Sequence, residues 1–348
     1  MEELTIGQVL DLCGFPADVL DRYDLDVVSA APVRKIVRIT TPNGDLALKK
    51  FKLSTDELIF SLAAMRHVKE QGFLVPGVIK TRDDQEFIEA DDGTKYFVME
   101  WLDGQESKYS HVLDLALAAR GLAYFHERSR GFVPPPCLGK EQWGTWTGHF
   151  LERIEELREW TVLAEQGGTP FDKIFAEEVA YGIAEASRAV ELLLSSRYEE
   201  ISRLEQTWGG FCHHDYAHHN VLITGGQAIG LIDFDYAICD IRAHDLASLI
   251  LRNMKSEKWD ARTAYFIVKS YFESTMPHEG EERLLHAMMR FPQDFYEAGN
   301  FHYVQKNRPP EVLDSRLRKW VEQRARRERF LREFEEGARY VLTHGTIR

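Results

Sequence analysis

Cysteine is scarce in this chain of 348 residues, and the cysteines that occur are not paired in the sequence. They are Cys13, Cys137, Cys212 and Cys239. Such scattered cysteines give neither the framework of a small disulfide-bonded protein nor the paired ligands of a zinc ribbon. The pattern is typical of a protein kept in a reducing, cytoplasmic setting.

Long uncharged apolar runs are also lacking, and acidic residues outnumber basic ones. No run reaches the ~20 residues that a membrane-spanning helix needs, and Glu2 and Glu3 stand where a secretory signal carries positive charge. The 43 basic and 56 acidic residues give a formal net charge of −13, which repels phosphate backbones and anionic lipids. We therefore expect neither a membrane nor a nucleic acid as a partner.

Short apolar runs typical of strands fill much of the first hundred residues, around one internal helical pattern. The predicted strands lie at residues 27–28, 36–39, 46–48, 86–89 and 96–101. Turn signals at 43–44 and 91–93 join successive strands. The internal helix is predicted for residues 54–72, with Ser54 or Thr55 as its cap, and another helical pattern covers residues 3–23.

From residue 104 the pattern becomes almost wholly helical, with one interruption. The predicted helices cover residues 113–128, 148–165, 171–195 and most of the chain from 261 onward. The interruption covers residues 209–235. It begins with a polar, histidine-rich loop and continues with two short apolar runs around the turn signal Gly225-Gly226. It predicts a small hairpin within a helical region.

This order predicts an α+β chain with two lobes. Residues 1–103 form a small lobe with an antiparallel sheet and one helix, and residues 104–348 form a large, mainly helical lobe. The connection between them is predicted near residues 99–104.

Chemistry-bearing residues concentrate on both sides of the predicted hairpin. Asp215 and Asn220 lie in the loop at 213–220, and Asp233 and Asp235 end the hairpin at 221–235. Phosphoryl transfer needs an aspartate that orients and deprotonates the acceptor hydroxyl, and it needs oxygen ligands that hold magnesium against the phosphates. Asp215 is therefore the predicted catalytic base, Asn220 and Asp233 are the predicted metal ligands, and Asp235 is a further candidate ligand.

Nucleotide-binding candidates lie in the first lobe. Lys49 ends a predicted strand, from which an ammonium group can reach nucleotide phosphates. Glu57 either pairs with Lys49 or stabilises the N-terminus of its own helix. Met99, Glu100 and Trp101 end the lobe, where their backbone groups are placed to bind an adenine edge.

Three other features of the sequence bear on its interpretation. The histidines at 213, 214, 218 and 219, with Cys212 and Cys239, invite a zinc site, but ligand pairs at ordinary zinc spacing are lacking. Asp245 either stabilises the loop at 213–220, contacts a substrate or caps a helix. The basic stretch at 316–332 predicts the solvated face of an amphipathic helix.

His213-x-Asp215, Asn220 five positions later and Ile232-Asp233 resemble the aminoglycoside phosphotransferase and choline kinase branch of the protein-kinase-like fold. The resemblance implies a two-lobed kinase-like fold with the nucleotide between the lobes. It also implies ATP and Mg²⁺ as cofactors and a small-molecule hydroxyl as the phosphate acceptor.

Within that branch, residues 122–132 and 46–49 look most like CotS-type spore coat proteins. That narrower resemblance implies synthesis in the mother cell, deposition on the spore and coat proteins as partners.

One departure from the family pattern leaves two functions open. Residues 29–34 carry no glycine where a glycine-rich loop would let backbone amides approach phosphates. The first function is an ATP-dependent kinase of a small hydroxyl-bearing molecule, and the second is a coat-associated structural protein that transfers nothing. A protein kinase ranks below both, because the sequence shows no activation segment between Asp235 and Asp245. The acceptor is left open, although an acidic protein suits a cationic one.

Overall fold

An antiparallel sheet followed by a large set of helices makes up the molecule, which confirms the predicted α+β class. The structure is a computed structural model, and it describes residues 4–137, 139–225, 228–256 and 259–344. Glu2, Glu3 and Gly226, which entered the sequence predictions, lie outside these ranges.

The first sheet has six strands in the order β1-β2-β3-β6-β4, with β5 also on β6, and every pairing is antiparallel. The strands are β1 (Ser29–Val33), β2 (Ile36–Thr41), β3 (Gly44–Phe51), β4 (Val78–Ile79), β5 (Ile88–Glu89) and β6 (Lys95–Glu100). The strand predicted at 27–28 is displaced, because β1 begins at Ser29, although the Val28 amide already donates to the Thr40 carbonyl of β2 at 2.9 Å. Pro32 is tolerated there because β1 is an edge strand.

Helices at the start of the chain pack beside this sheet. Residues 3–23 do not form one helix: α1 (Ile6–Leu12) ends before Gly14, whose positive φ of 67° turns the chain, and a 3₁₀-helix follows at Val19–Arg22. The predicted helix at 54–72 is α2 (Thr55–Glu70). Ser54 caps it, as predicted, because its hydroxyl accepts the Glu57 amide.

Helices dominate the chain after residue 110. They are α3 (Val112–Ser129), α4 (Trp146–Gln166), α5 (Pro170–Ser195), α6 (Tyr198–Trp208), α7 (Ala243–Ser256), α8 (Ala261–Phe272), α9 (Glu281–Arg290), α10 (Gln293–Gly299), α11 (Pro310–Glu322) and α12 (Arg324–His344), with a π-helical segment at Asn300–Gln305. The helices predicted at 113–128, 148–165 and 171–195 are confirmed as α3, α4 and α5. Among the described helices, none combines the length and the apolarity that crossing a bilayer requires.

The basic stretch at 316–332 lies on two helices rather than one. Helix α11 ends with Gln323 as its C-cap, and α12 begins at the next residue. Leu317 and Trp320 are buried, and the guanidinium of Arg327 lies 4.3 Å from the centre of the Trp320 ring. The apolar half of the predicted amphipathic pattern therefore packs inward.

A second, three-stranded sheet lies among the helices. It contains β7 (Gln105–Glu106), β8 (Val221–Thr224) and β9 (Ala228–Leu231) in that order. The β8–β9 hairpin was predicted, whereas β7 is too short to leave a sequence pattern. Sheet membership changes between β6 and β7, on either side of the predicted boundary at residue 103. That division into two lobes stays a prediction.

The hairpin is held from two sides. The amide of Leu231 donates to the Leu74 carbonyl at 3.0 Å, which ties β9 to the chain that follows α2. On the other side Gly121 of α3 lies so close to Ile229 of β9 that an added Cβ would come within 2.7 Å of the isoleucine side chain. Glycine therefore lets α3 approach the strand that leads to Asp233.

We expect Gly121→Ala to destabilise the protein. Overpacking costs about 1–3 kcal/mol and outweighs the ~1 kcal/mol that alanine contributes inside a helix. Gly148→Ala is the matched control, since Gly148 is an exposed helical glycine with nothing within 4 Å of an added Cβ. Urea unfolding should show opposite changes in the two variants, and an unchanged midpoint for Gly121→Ala would contradict the close approach.

Candidate active site

The β8–β9 hairpin brings together two predicted metal ligands that are 13 positions apart in the sequence. Asn220 directly precedes β8, and Asp233 follows β9 by two residues. Val221 pairs with Leu231, and the Ile232 amide donates to the Asn220 carbonyl at 3.0 Å. Antiparallel pairing therefore places Asn220 and Asp233 at the same end of the hairpin.

Lys49 reaches this hairpin end from the first sheet. Its ammonium lies 2.5 Å from Asp233 Oδ1 and 2.6 Å from Asp235 Oδ1. The lysine side chain is 12% exposed, whereas the carboxylates are 38% and 24% exposed. The two carboxylates therefore share one buried cation and keep an open side. Asp233 has a left-handed backbone, with φ of 69°, which is uncommon outside glycine and often marks a functional site.

The three charges set one another's pKa. Burial alone would lower the pKa of Lys49, but Asp235 and Asp233 outweigh burial and raise it. Burial alone would raise the pKa of Asp233, but the Lys49 ammonium outweighs burial and lowers it. For Asp235, burial and the neighbouring Asp233 raise the pKa against the opposing effect of Lys49. The arrangement holds one carboxylate firmly ionised and the second less so.

Asp215 joins the site through Asn220. The Asn220 amide nitrogen donates to the Asp215 carbonyl at 2.9 Å and to Asp215 Oδ2 at 3.0 Å. This leaves the amide oxygen of Asn220 as a ligand for a cation. On the other side, Arg252 Nη2 donates to Asp215 Oδ1 at 2.7 Å. Both carboxylate oxygens are thus oriented by side chains.

A buried carboxylate anchors the loop that carries Asp215. Asp245, in the first turn of α7, accepts the backbone amides of His213 at 2.6 Å and His214 at 2.9 Å. Burial alone would raise its pKa, but hydrogen bonds to His126 and His244 hold it well below the usual range. Of the roles left open for Asp245, the structure shows loop stabilisation.

His213 connects this loop to the end of the hairpin. Its Nε2 donates to the Ile232 carbonyl at 3.0 Å, and its Nδ1 accepts the Asp215 amide at 3.3 Å. Complete burial lowers the pKa of His213, so the ring is neutral and these two contacts define its tautomer. The backbones before Asp215 and Asp233 are therefore fixed relative to each other.

The predicted ion pair between Lys49 and Glu57 does not form. Glu57 accepts the Ser54 amide at 2.9 Å and the Ser54 hydroxyl at 2.8 Å, as part of the cap of α2. The α2 face beside Lys49 instead carries Leu58, Ser61, Leu62 and Met65. The carboxylates of the hairpin therefore take the place that Glu57 was predicted to occupy.

Of the residues at the end of β6, Met99 lines the same small cavity as Lys49, Asp233 and Asp235. Two of the backbone donors predicted to contact adenine are already used: the Glu100 amide donates to Gly77 and the Trp101 amide to Asp45. Their side chains pair with Lys69 and Arg38, respectively. The first amide after the strand without a protein acceptor in the described ranges is that of Leu102.

A tight turn occupies the place of a glycine-rich loop. Residues 34–35 connect β1 to β2, and Arg34 adopts a left-handed φ of 56°. Its guanidinium pairs with Glu106 of β7. The turn therefore contacts the second sheet through a side chain.

The residues named for a zinc site do not come together as one set: among the described residues, His214 groups with Asp240 and His244, Cys212 groups with His126 and Asp245, and His213, His218, His219 and Cys239 belong to neither group. His214 lies near Asp240 and His244, but the two imidazole rings stack 4.1 Å apart and 14° from parallel, so their in-plane lone pairs cannot converge on one ion. Cys212 donates to the carbonyls of Asp240 and Ile241, and its burial raises its pKa well above the usual value. These residues hold the loop rather than a metal.

Sequence reasoning missed Arg252, which contacts the predicted base directly. It lies 37 positions after Asp215 on α7, and no local motif marks it. Asp245, seven residues before it, was recognised as a candidate from its place in the segment 240–247, shortly after Asp235. Only the tertiary structure shows that α7 lines the site.

Comparisons with known proteins place this geometry in a family. A model of the phosphotransferase enzyme family matches residues 33–285, which contain Lys49, Asp215, Asn220 and Asp233. An aminoglycoside phosphotransferase structure from Alicyclobacillus acidocaldarius has a TM-score of 0.79 and 23% identity, over 94% of this chain and 97% of that one. This similarity confirms the kinase-like fold.

Two further relatives align with this chain over only part of their own length. A homoserine kinase of Nitrobacter winogradskyi is 25% identical over 244 residues, 66% of this chain and 65% of the relative. The endospore coat-associated protein YutH of Bacillus subtilis is 22% identical over 218 residues, 62% of each. Both alignments span less than two thirds of the relative. The family match covers most of the chain, and the chain therefore belongs to the phosphotransferase enzyme family.

Proposed function

We propose that this protein transfers the γ-phosphate of ATP, with Mg²⁺, to the hydroxyl of a small molecule. The observation that carries the proposal is the meeting of Lys49, Asp215, Asn220, Asp233 and Asp235 at one end of the hairpin. Lys49 lies 184 positions before Asp233 in the chain, so folding alone brings it to this hairpin end. A hairpin kept only for structure has no need of such a concentration of partly exposed charge.

The donor set suits magnesium. Asn220 contributes an amide oxygen, and Asp233 and Asp235 contribute carboxylate oxygens, which are the hard ligands that this ion prefers. When bound, magnesium would neutralise charge on the phosphates. We assign Asn220 and Asp233 as ligands and Asp235 as a further one.

Asp215 is the proposed base. The acceptor O–H donates to its carboxylate, the acceptor oxygen attacks the γ-phosphorus, and the bond from that phosphorus to the β-phosphate oxygen breaks to release ADP. The proton moves to Asp215 in the same step. Asn220 and Arg252 hold the carboxylate in place.

Lys49 has two available partners in this scheme. Without nucleotide it neutralises Asp233 and Asp235. With nucleotide, its ammonium can bind phosphate oxygens while the carboxylates hold the cation. We place the adenine contact at the backbone of the connector, including the Leu102 amide and the neighbourhood of Met99.

A second candidate is a coat-associated protein that has the fold and transfers nothing. The similarity to the coat-associated Bacillus subtilis protein favours it, as does the turn at Arg34 in place of a glycine-rich loop. A cytoplasmic enzyme that is later deposited on the spore coat would combine the proposed catalysis with a place in the coat. We rank the catalytic function first because the charged residues retained at the hairpin suit phosphoryl transfer.

We expect Asp215→Asn to reduce kcat by about 10²–10⁴ while sparing nucleotide binding, because only proton transfer is lost. Turnover with homoserine and with aminoglycosides as trial acceptors, together with ATP calorimetry, measures both effects. Asp83→Asn is the matched control, since Asp83 also pairs with an arginine but at the exposed surface. Equal turnover in wild type and Asp215→Asn would remove Asp215 from the reaction.

Asp233→Asn tests the metal site without disturbing the backbone, because asparagine tolerates positive φ. We expect ATP binding in the presence of Mg²⁺ to weaken at least about tenfold, a free-energy loss of about 1.4 kcal/mol. Calorimetry with and without Mg²⁺ on both proteins provides the measurement. Wild-type affinity in the variant would rule out Asp233 as a ligand, and no ATP binding by the wild type would favour the non-catalytic coat protein.

Substitutions of Glu57 and Asp235 should distinguish a residue that only caps a helix from a residue of the active site. Glu57→Ala loses favourable charge at a helix N-terminus, so unfolding free energy should fall by about 0.3–1 kcal/mol without a change in KM for ATP. Asp235→Asn should raise KM for ATP or lower kcat, because Lys49 loses a partner. A large rise in KM for Glu57→Ala alone would restore the predicted role of Glu57.

A further inference from the structure

Arg252 has more hydrogen-bonding capacity than its protein contacts use. A guanidinium carries five N–H donors. Its Nε donates to Ser248 Oγ at 3.2 Å, and one Nη2 donor binds Asp215 Oδ1 at 2.7 Å. Within the described ranges the remaining donors meet no protein acceptor. The side chain is 38% exposed, beside an Asp215 that is 25% exposed.

Positioning of Asp215 does not by itself explain this arginine. Asn220 already holds Asp215 by two hydrogen bonds, and Asp245 anchors the preceding loop through two backbone amides. An arginine kept only as a support would direct its donors into the protein. Arg252 instead leaves donors open directly beside the oxygen that would receive the acceptor proton.

An open guanidinium is a receptor for a planar anion. Its parallel N–H groups match the two oxygens of a carboxylate, and such charge-assisted pairs are shorter and stronger than neutral hydrogen bonds. Arg252 thus places a positive charge next to the base, although the chain as a whole carries −13. Net charge describes long-range attraction and does not fix the sign of this part of the site.

We propose that Arg252 binds a carboxylate of the phosphate acceptor, so that the acceptor is a short hydroxy acid or hydroxy amino acid. The inference rests on the proposed phosphotransferase function. The acceptor must be short because the guanidinium and Asp215 are in direct contact. One guanidinium suits a monoanion better than a phosphate dianion, which would place additional negative charge beside Asp215 and the incoming nucleotide.

The test compares a matched pair of acceptors that differ in the carboxylate charge with a third acceptor that carries a phosphate instead. Homoserine and homoserine amide share chain length and hydroxyl, and glycerol 3-phosphate represents a phosphate-bearing alcohol. Their binding is measured by calorimetry with a non-hydrolysable ATP analogue and Mg²⁺, and transfer is measured as kcat and KM with ATP. We expect wild type to prefer homoserine over its amide by about 10- to 100-fold, the range for a hydrogen bond to a charged group.

Arg252→Gln should remove this preference mainly through KM for homoserine, and Arg252→Lys should retain part of it. Arg120→Gln is the matched control, because it also loses an arginine–carboxylate pair, but on α3 at the surface. Equal wild-type binding of homoserine and its amide, binding of neither, preference for the phosphate, or an equal loss of kcat for every acceptor in Arg252→Gln would overturn the inference. Preferential carboxylate binding without transfer would support the carboxylate site and overturn the proposed function instead.

Discussion

The ion pairs between Lys49 and the two aspartates at the end of the hairpin organise this molecule. Two partly exposed carboxylates that lie close together repel each other, and the ammonium of Lys49, itself 12% exposed, compensates both. The lysine belongs to the first sheet, and the aspartates follow the last strand of the second. The same contacts therefore compensate charge and join the part of the chain that presents a cation to the part that would bind magnesium and phosphate.

Rigid support around this centre comes from buried polar groups rather than from apolar packing alone. Asp245 and His213 are buried, and each bonds to backbone groups of the loop or of the hairpin end. A buried carboxylate is costly unless hydrogen bonds satisfy it, so these contacts have few alternatives. That requirement explains how a polar loop rich in histidine adopts one conformation.

The two sides of Asp215 differ in chemistry. Towards the hairpin it meets the neutral amide of Asn220, and towards α7 it meets the charged Arg252. The first side carries a ligand of the proposed metal site, and the second carries the guanidinium to which the carboxylate of the proposed acceptor would bind. The proposed selectivity therefore rests on a residue of α7 that lies 37 positions after Asp215 in the chain, and net charge gives no guide to it.

The sequence by itself determined the α+β class and the hairpin, and it singled out Lys49, Asp215, Asn220, Asp233 and Asp235, which the structure brings together; their chemical roles stay a prediction. These features depend on local periodicity and on residue types at short spacing, which a sequence records directly. Tertiary structure alone decided that Glu57 caps its helix, that Lys49 pairs with the hairpin, that the amides of Glu100 and Trp101 are used within the first sheet, and that Arg252 reaches Asp215. The Glu57 cap is a local contact with Ser54, one of two roles that the sequence left open. The other contacts join distant segments, where an ionic group takes the nearest partner that folding provides and no local pattern specifies that partner.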